Sequence, residues 1–372
     1  GVVGVIGAWN FPFILTAGDT LPALLAGNGV VVKPASATPL TAMWMAEAMR
    51  EAGLPDELLQ VVTGPGRELG DALIDHVDYI MFTGSTEVGR RVAERAARRL
   101  IPASMELGGK NAMIVLADAN LKHAAHVAVE AAFNNAGQVC ISIERLYIVE
   151  EVYEPFLEEL LAQVRGCRLG CTSGYDTDIG SLISEAQLRT VEQHVQDAVA
   201  KGATVLTGGR ARPDIGPYFY EPTVLTGVCE GMLAYREETF GPVLAVYRVK
   251  SMEEAIQQVN DSRYGLYHIV ATGNPRRGMM TATRLKAGTV AINDSYMGWA
   301  VMDAPMGGFK ESGIGRRHGP DGIRKFTEPQ TIVRNRTPWQ IGSSETALAL
   351  NRRTADLLAG LLKLWRRVPF MR

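Results

Sequence analysis

Cysteine is scarce: Cys140, Cys167, Cys171 and Cys229 are the whole complement of a 372-residue chain. Four are too few for a disulfide framework at this size, and they suit a reducing compartment. Cys167 and Cys171 lack a second Cys or His pair at ligand spacing, and His123 and His126 on one predicted helix face read as a solvated or satisfied pair, so no metal is expected. A surplus of one charge is also missing. The 38 basic and 40 acidic residues leave a net charge of −2 and are interspersed, so no nucleic-acid partner is expected and small-molecule chemistry is the default. No apolar run reaches the ~20 residues of a spanning helix and no leader precedes the first strand, so a cytoplasmic location is expected.

What is present is a 47% apolar fraction in a chain too long for one core. A prior of roughly 100–200 residues per domain points to two. The chain opens on Gly1-Val2-Val3-Gly4-Val5-Ile6-Gly7, a buried-strand pattern, so we expect it to begin inside a domain.

Apolar runs at 2–6 and 29–33 flank a helical stretch at 19–26, the strand–helix–strand rhythm of a parallel sheet. Helices at 40–52 and 68–74 then alternate with strands at 59–63 and 79–82. A second series has strands at 112–116, 146–149, 204–207, 223–225 and 243–249, and helices at 122–134, 152–164, 185–201 and 252–260. The expected fold class is α/β with two doubly wound domains, 1–108 and 109–325. A β-prone segment at 331–336 has no evident partner nearby, so it should pair with a distant hairpin or another subunit. In the tail, 337–372, residues 346–368 form a basic amphipathic pattern with leucines on one side. Such a helix lies on an anionic membrane surface, or packs on a neighbouring subunit or its own core.

Cys140 follows a helix and the small-residue turn Ala136-Gly137, where backbone can approach a substrate closely; alone it equally suits a small buried hydrophobe. Glu106 sits in Met105-Glu106-Leu107-Gly108-Gly109-Lys110, an apolar setting that would raise a carboxyl towards the range of a general base; a salt bridge to Lys110 is the alternative. Asn10, in Ala8-Trp9-Asn10-Phe11-Pro12, lies at the carboxyl end of a predicted parallel strand, and its amide could stabilise an oxyanion. The stretch from Phe82 to Gly89 joins strand to helix and could hold a phosphate on its amides, though it departs from the usual G-x-G-x-x-G fingerprint.

Together with Lys33-Pro34-Ala35, Glu237-Glu238-Thr239-Phe240-Gly241-Pro242-Val243 and the run from Pro305 to Gly315, these segments resemble the aldehyde dehydrogenase superfamily from Gly1 to about Arg336. The resemblance implies an NAD(P)+-dependent oxidation of a small-molecule aldehyde to an acid, with 1–108 as an incomplete nucleotide-binding domain, 109–325 as the catalytic domain and 326–336 as a remnant of the oligomerisation sheet. It implies Cys140 as nucleophile, Glu106 as base, and Asn10 with the Cys140 amide as oxyanion hole. Lys33 then matches the lysine on the adenosine ribose, Ser85 a pyrophosphate contact, Glu238 the nicotinamide-ribose ligand and Phe240 the ring beside the nicotinamide. Trp9, Ser36 and Gly84 complete the expected cofactor site. A homodimer or homotetramer is implied, and a catalytically silent member with the same fold is the rival reading.

Departures inform the specificity. Ser36 stands where many NAD-preferring members carry a glutamate, and a serine donates to a 2′-phosphate that a carboxylate repels, so NADP is slightly favoured over NAD. After Gly315-Arg316 many members place a glutamate, whereas this chain has Arg317-His318-Gly319, which leaves Glu106 as the acid–base residue. The Arg-Arg-His-Gly pattern resembles a bacterial branch labelled succinate-semialdehyde dehydrogenase. Gly18 and Asn134, however, occupy positions where such enzymes place carboxylate-binding arginines, so nonpolar aldehydes are an equal expectation.

Overall fold

Val3, Val5, Ile80 and Met81 are each no more than 1% exposed, and successive residues of their strands are buried. Strands buried on both faces belong to a parallel sheet covered by helices on either side. The computed structural model, which describes residues 1–172, 174–334, 336 and 352–365, has that arrangement. Gly1–Thr327 packs as one unit and Glu328–Arg372 as another.

In chain order the first layer is β1 (Val2–Ile6), α1 (Pro12–Leu25), β2 (Gly29–Lys33), α2 (Pro39–Glu51), β3 (Leu59–Val61), α3 (Gly66–Asp75), β4 (Tyr79–Thr83), α4 (Thr86–Arg98) and β5 (Ala103–Glu106). After β1 the chain winds outward through β2 and β3, then returns to lay β4 and β5 on the other flank of β1. This reversal opens a crevice beyond the carboxyl ends of β1 and β4, where open α/β sheets gather ligands. α1 begins at Pro12, well before the predicted 19, because a proline at the first helical turn loses no hydrogen bond and presets φ.

The second layer follows as β6 (Asn111–Val115), α5 (Leu121–Phe133), β7 (Ile143–Val149), α6 (Tyr153–Arg165), α7 (Glu185–Ala200), β8 (Thr204–Thr207), β9 (Thr223–Thr226), α8 (Leu233–Arg236), β10 (Val243–Val249), α9 (Met252–Asn260), β11 (Tyr264–Gly265), β12 (Tyr267–Ala271), α10 (Pro275–Ala282), β13 (Thr289–Ile292) and α11 (Met297–Ala300). Its seven strands run in the order β13-β12-β6-β7-β10-β9-β8, parallel except for β8 on β9. Phe133, Leu146, Phe156, Leu160 and Tyr267 anchor its largest core. β12, β13 and α10 extend this sheet beyond the strands predicted.

The chain then closes back on the first layer through β14 (Phe309–Lys310), β15 (Gly313–Ile314) and α12 (Gly319–Arg324). β14 pairs with β11, while β15 pairs antiparallel with β5, Gly313 opposite Glu106. Phe326 stacks edge-on against Tyr79 at 5.0 Å. Residues 313–327, placed by the sequence reading mostly in the second domain, therefore complete the first layer; a two-residue strand carries no periodicity that would reveal it.

In the second unit, Ile332 and Val333 are exposed and 331–334 take no strand conformation in the single chain. Among the described residues a lone β-prone segment has no ladder to join. α13 (Arg352–Trp365) falls within the predicted tail helix, of which 346–351 and 366–368 lie outside the described residues.

Candidate active site

The approach to Cys140 is built from strained backbone. After α5, Asn135, Ala136 and Gly137 take φ values of 51°, 55° and 71°, three left-handed residues in succession that turn the chain sharply. Gly137 has no alternative, since a Cβ there would lie 2.2 Å from the Gly241 carbonyl oxygen. Pinning bonds hold this conformation. Asn10 Nδ2 donates to the Gln138 carbonyl at 3.0 Å, Asn135 Nδ2 donates to the Asn10 carbonyl at 3.2 Å, and the Ile183 amide donates to Gln138 Oε1 at 2.8 Å. Asn111 Nδ2 donates to the carbonyls of Cys140 and Ser142 at 2.8 and 2.9 Å, fixing the nucleophile candidate from below.

Cys140 stands where two cavities meet. One, of about 360 Å³, lies beyond the ends of β1 and β4 and is lined by Trp9, Asn10, Gly84, Ser85, Val88, Glu106, Gln187, Glu238 and Phe240. Ser85 is the residue before α4, so the amino-terminal end of that helix opens into this cavity and favours an anion. The other, of about 290 Å³, is lined by Phe11, Ile14, Leu15, Val139, Ile141, Tyr296 and Trp299, with Asn10 and Asn134 as its polar members beside Cys140. Neither cavity is lined by a cationic side chain among the described residues.

Glu106 ends β5 at 5% exposure, and burial pushes its carboxyl up to about 7 against the opposing pull of Arg317 and Lys325. The alternative partner, Lys110, is committed elsewhere: it is fully buried against Glu144. Glu144 in turn accepts from the Thr239 amide at 2.9 Å and the Phe240 amide at 3.0 Å. With Gln187 Nε2 donating to the carbonyls of Thr239 and Phe240 at 3.0 and 2.9 Å, these bonds hold Phe240 at φ 52° with its ring 5.4 Å from Trp9, edge to face.

Glu238 turns inward, its Oε1 accepting from the Gly109 amide at 2.8 Å, and burial with Glu144 nearby pushes it up to about 8. A Cβ on Gly108 would lie 2.1 Å from its Oε2, and one on Gly109 would lie 2.9 Å from the Cys140 carbonyl oxygen, so both glycines of this segment are closely approached. Burial, with the charges of Glu106 and Glu238 adding to it, pushes the Cys140 thiol up to about 12, and Arg317 pulls the other way. The thiol therefore needs a proton acceptor beside it, and Glu106 and Glu238 both stand close enough to act on its charge.

Lys33 and Ser36 stand two residues before and one after Ala35, which lines the larger cavity, yet neither side chain reaches that lining. Lys33 Nζ donates to the Pro34 carbonyl at 2.7 Å, and Ser36 Oγ donates to the Gly64 carbonyl at 3.1 Å, so both stand by the loop that leads into α3. The sequence reading missed Asn111, Glu144 and Gln187, which fix backbone by side-chain hydrogen bonds, Gln187 also lining the larger cavity. It also missed Asp19, whose carboxylate in an otherwise apolar helix signals a buried partner.

A profile described as the aldehyde dehydrogenase family matches residues 1–332, and the chain belongs to that family. Among curated relatives, a Mycolicibacterium smegmatis protein named "Putative succinate-semialdehyde dehydrogenase [NADP(+)]" is 54% identical over 337 residues, 90% of this chain and 65% of its own length. The chain thus spans just under two thirds of that relative. Among solved structures, a Mycobacterium tuberculosis aldehyde dehydrogenase complexed with NAD+ aligns at a TM-score of 0.85 with 40% identity, over 88% of this chain and 68% of the other. An Escherichia coli NADP-dependent enzyme aligns at a TM-score of 0.85 with 38% identity, over 88% and 68%.

Proposed function

We propose that this chain carries the active site of an NAD(P)+-dependent aldehyde dehydrogenase, with Cys140 as nucleophile and Glu106 as base. The observation that carries the reading is the place of Cys140 between a cavity at a helix amino terminus and an apolar cavity, with the raised carboxyl of Glu106 beside it. When bound in the larger cavity, a nicotinamide dinucleotide supplies the hydride acceptor; Gly84, Ser85, Trp9, Glu238 and Phe240 would hold it, with Lys33 and Ser36 towards its adenosine end. The sulfur of Cys140 adds to the aldehyde carbon while its proton passes to a neighbouring carboxylate. Asn10, one of whose two amide protons is free of the Gln138 bond, and the Cys140 amide steady the oxyanion. Departure of hydride from that carbon leaves a thioester. Glu106 then takes a proton from water, the hydroxide adds to the thioester, the carbon–sulfur bond breaks, and a carboxylic acid leaves with Cys140 restored.

The apolar cavity supports an aliphatic or aromatic aldehyde as substrate, because a carboxylate entering it would meet aromatic and aliphatic walls with no cation among the described residues lining it. The names of relatives favour a second reading, succinate semialdehyde. The serine at position 36 and the NADP(+) in those names support NADP over NAD. A homodimer or homotetramer belongs to the same proposal, as does contact of the tail with a partner subunit or an anionic membrane; the exposed Leu357, Leu361 and Leu364 form one stripe of α13 that suits such a surface. The test is aldehyde-dependent growth of reduced-cofactor absorbance by the protein at its natural length. Saturation by medium-chain or aromatic aldehydes at concentrations below those needed for succinate semialdehyde is expected. The reverse order would overturn the substrate reading, and no absorbance change with any aldehyde would overturn the enzyme reading.

A further inference from the structure

One buried charge cluster has no part in the chemistry above. Asp19, 1% exposed in the middle of α1, accepts from Arg317 at both carboxylate oxygens, Nε to Oδ1 at 3.0 Å and Nη2 to Oδ2 at 2.6 Å. Lys325 Nζ lies 3.6 Å from Asp19 Oδ1. Arg317 is itself only 5% exposed, donates to Thr83 Oγ1, and exchanges backbone bonds with Met306 at 2.7 and 2.8 Å. Thr83 is the residue that the β4–β5 register sets opposite Glu106, and it lines the larger cavity. The cluster therefore backs directly onto the strand pair that presents the base.

We infer that the Asp19–Arg317 pair, with Lys325, is a positioning element for this reaction, holding Glu106 and Cys140 under a fixed positive potential from behind the site. A purely structural role explains the cluster poorly. A buried ion pair yields little net stability over apolar residues of the same shape, and the bends it bridges are already fixed by backbone bonds. Its charges, by contrast, reach the reacting groups through Thr83, which lines the same cavity as Glu106 and Cys140. The groups facing Glu106 come from every neighbouring element: Asp19 from α1, Arg316 and Arg317 from the turn after β15, Lys325 after α12, the neutral Thr83 from β4, and Cys140 from the loop before β7. β15 itself brings no titratable side chain, and Glu238 faces Cys140. His318 faces the cluster, and burial, then the Arg317 charge, hold its imidazole below the usual histidine range. Arg317 pulls both Glu106 and Cys140 towards their ionised forms. At Glu106 Lys325 pulls the same way and Asp19 opposes them.

The inference rests on the proposed thiol chemistry, so its test uses a readout that needs no turnover. The pH dependence of Cys140 alkylation by iodoacetamide, followed on the Cys140 peptide by mass spectrometry, is measured in the protein at its natural length. Arg317→Met removes a positive charge and should slow alkylation about tenfold at fixed pH, a shift of about one pH unit; Asp19→Asn, which leaves the Arg317 charge uncompensated, should speed it by a smaller factor. Arg317→Lys, which keeps the charge, should stay near the parent profile. Lys325→Met leaves the Asp19–Arg317 bonds in place, so if Arg317→Met does not fold it supplies the same sign of shift at smaller size. The acid limb of aldehyde turnover should move with the same signs. A common direction of shift for the Asp19 and Arg317 variants, or coincident profiles throughout, would overturn the inference. Opposite shifts in a protein that oxidises no aldehyde would uphold it while sinking the proposed function; aldehyde oxidation with unmoved profiles would do the reverse.

Discussion

Glu106→Gln is the perturbation that separates base catalysis from mere burial. Glutamine keeps the volume and the apolar packing at the end of β5 but cannot take a proton. With the carboxyl at about 7, the ionised fraction in the parent protein rises from about one eleventh near pH 6 to about ten elevenths near pH 8, so a deacylation-limited rate should climb about tenfold over that interval. The glutamine variant should lose that climb, and its steady-state rate should fall by about 10²–10⁴. The assay is stopped-flow absorbance of reduced cofactor across this pH range with saturating aldehyde. A burst approaching one equivalent per site followed by slow turnover is expected, since hydride leaves before water is activated. Loss of the burst as well would mean that Glu106 also takes the thiol proton. A variant with the parent steady-state rate and the parent acid limb would refute the assignment, and Glu238, pushed up to about 8, would be the next candidate.

Cys140→Ala should abolish turnover while the cofactor still quenches Trp9 fluorescence, because the larger cavity is walled mainly by other residues; turnover at the parent rate would exclude the thiol mechanism. Ser36→Glu should shift preference towards NAD+ by tenfold or so, since a carboxylate bonds a ribose diol and repels a 2′-phosphate. An unchanged ratio of kcat/KM for the two cofactors would show that position 36, which bonds the Gly64 carbonyl in the free protein, never faces the ribose.

How far the site was legible from sequence depends on what each residue touches. Glu106, Cys140, Asn10, Glu238 and Phe240 stand in short motifs where glycine or small residues neighbour a reactive or aromatic type, and such motifs survive in one dimension because close backbone approach demands glycine at fixed offsets. The central strands were legible too, since burial on both faces writes a continuous apolar run. The return of 313–327 to the first layer was not, because its strand is two residues long and its partner lies some two hundred positions earlier. A still longer separation, 298 positions, hid the charge cluster. Asp19 reads locally as a misfit in an apolar helix and Arg317 as a departure after Gly315-Arg316, and only the fold brings the two side chains together. Each residue is costly to bury alone and tolerable as a pair, so two separate oddities at opposite ends of a sequence were one structural fact. A buried charge without a local partner is thus a reason to search the rest of the chain for its complement, and the place where the two meet, here against the strand that carries Glu106, is where a functional residue outside any motif should be sought.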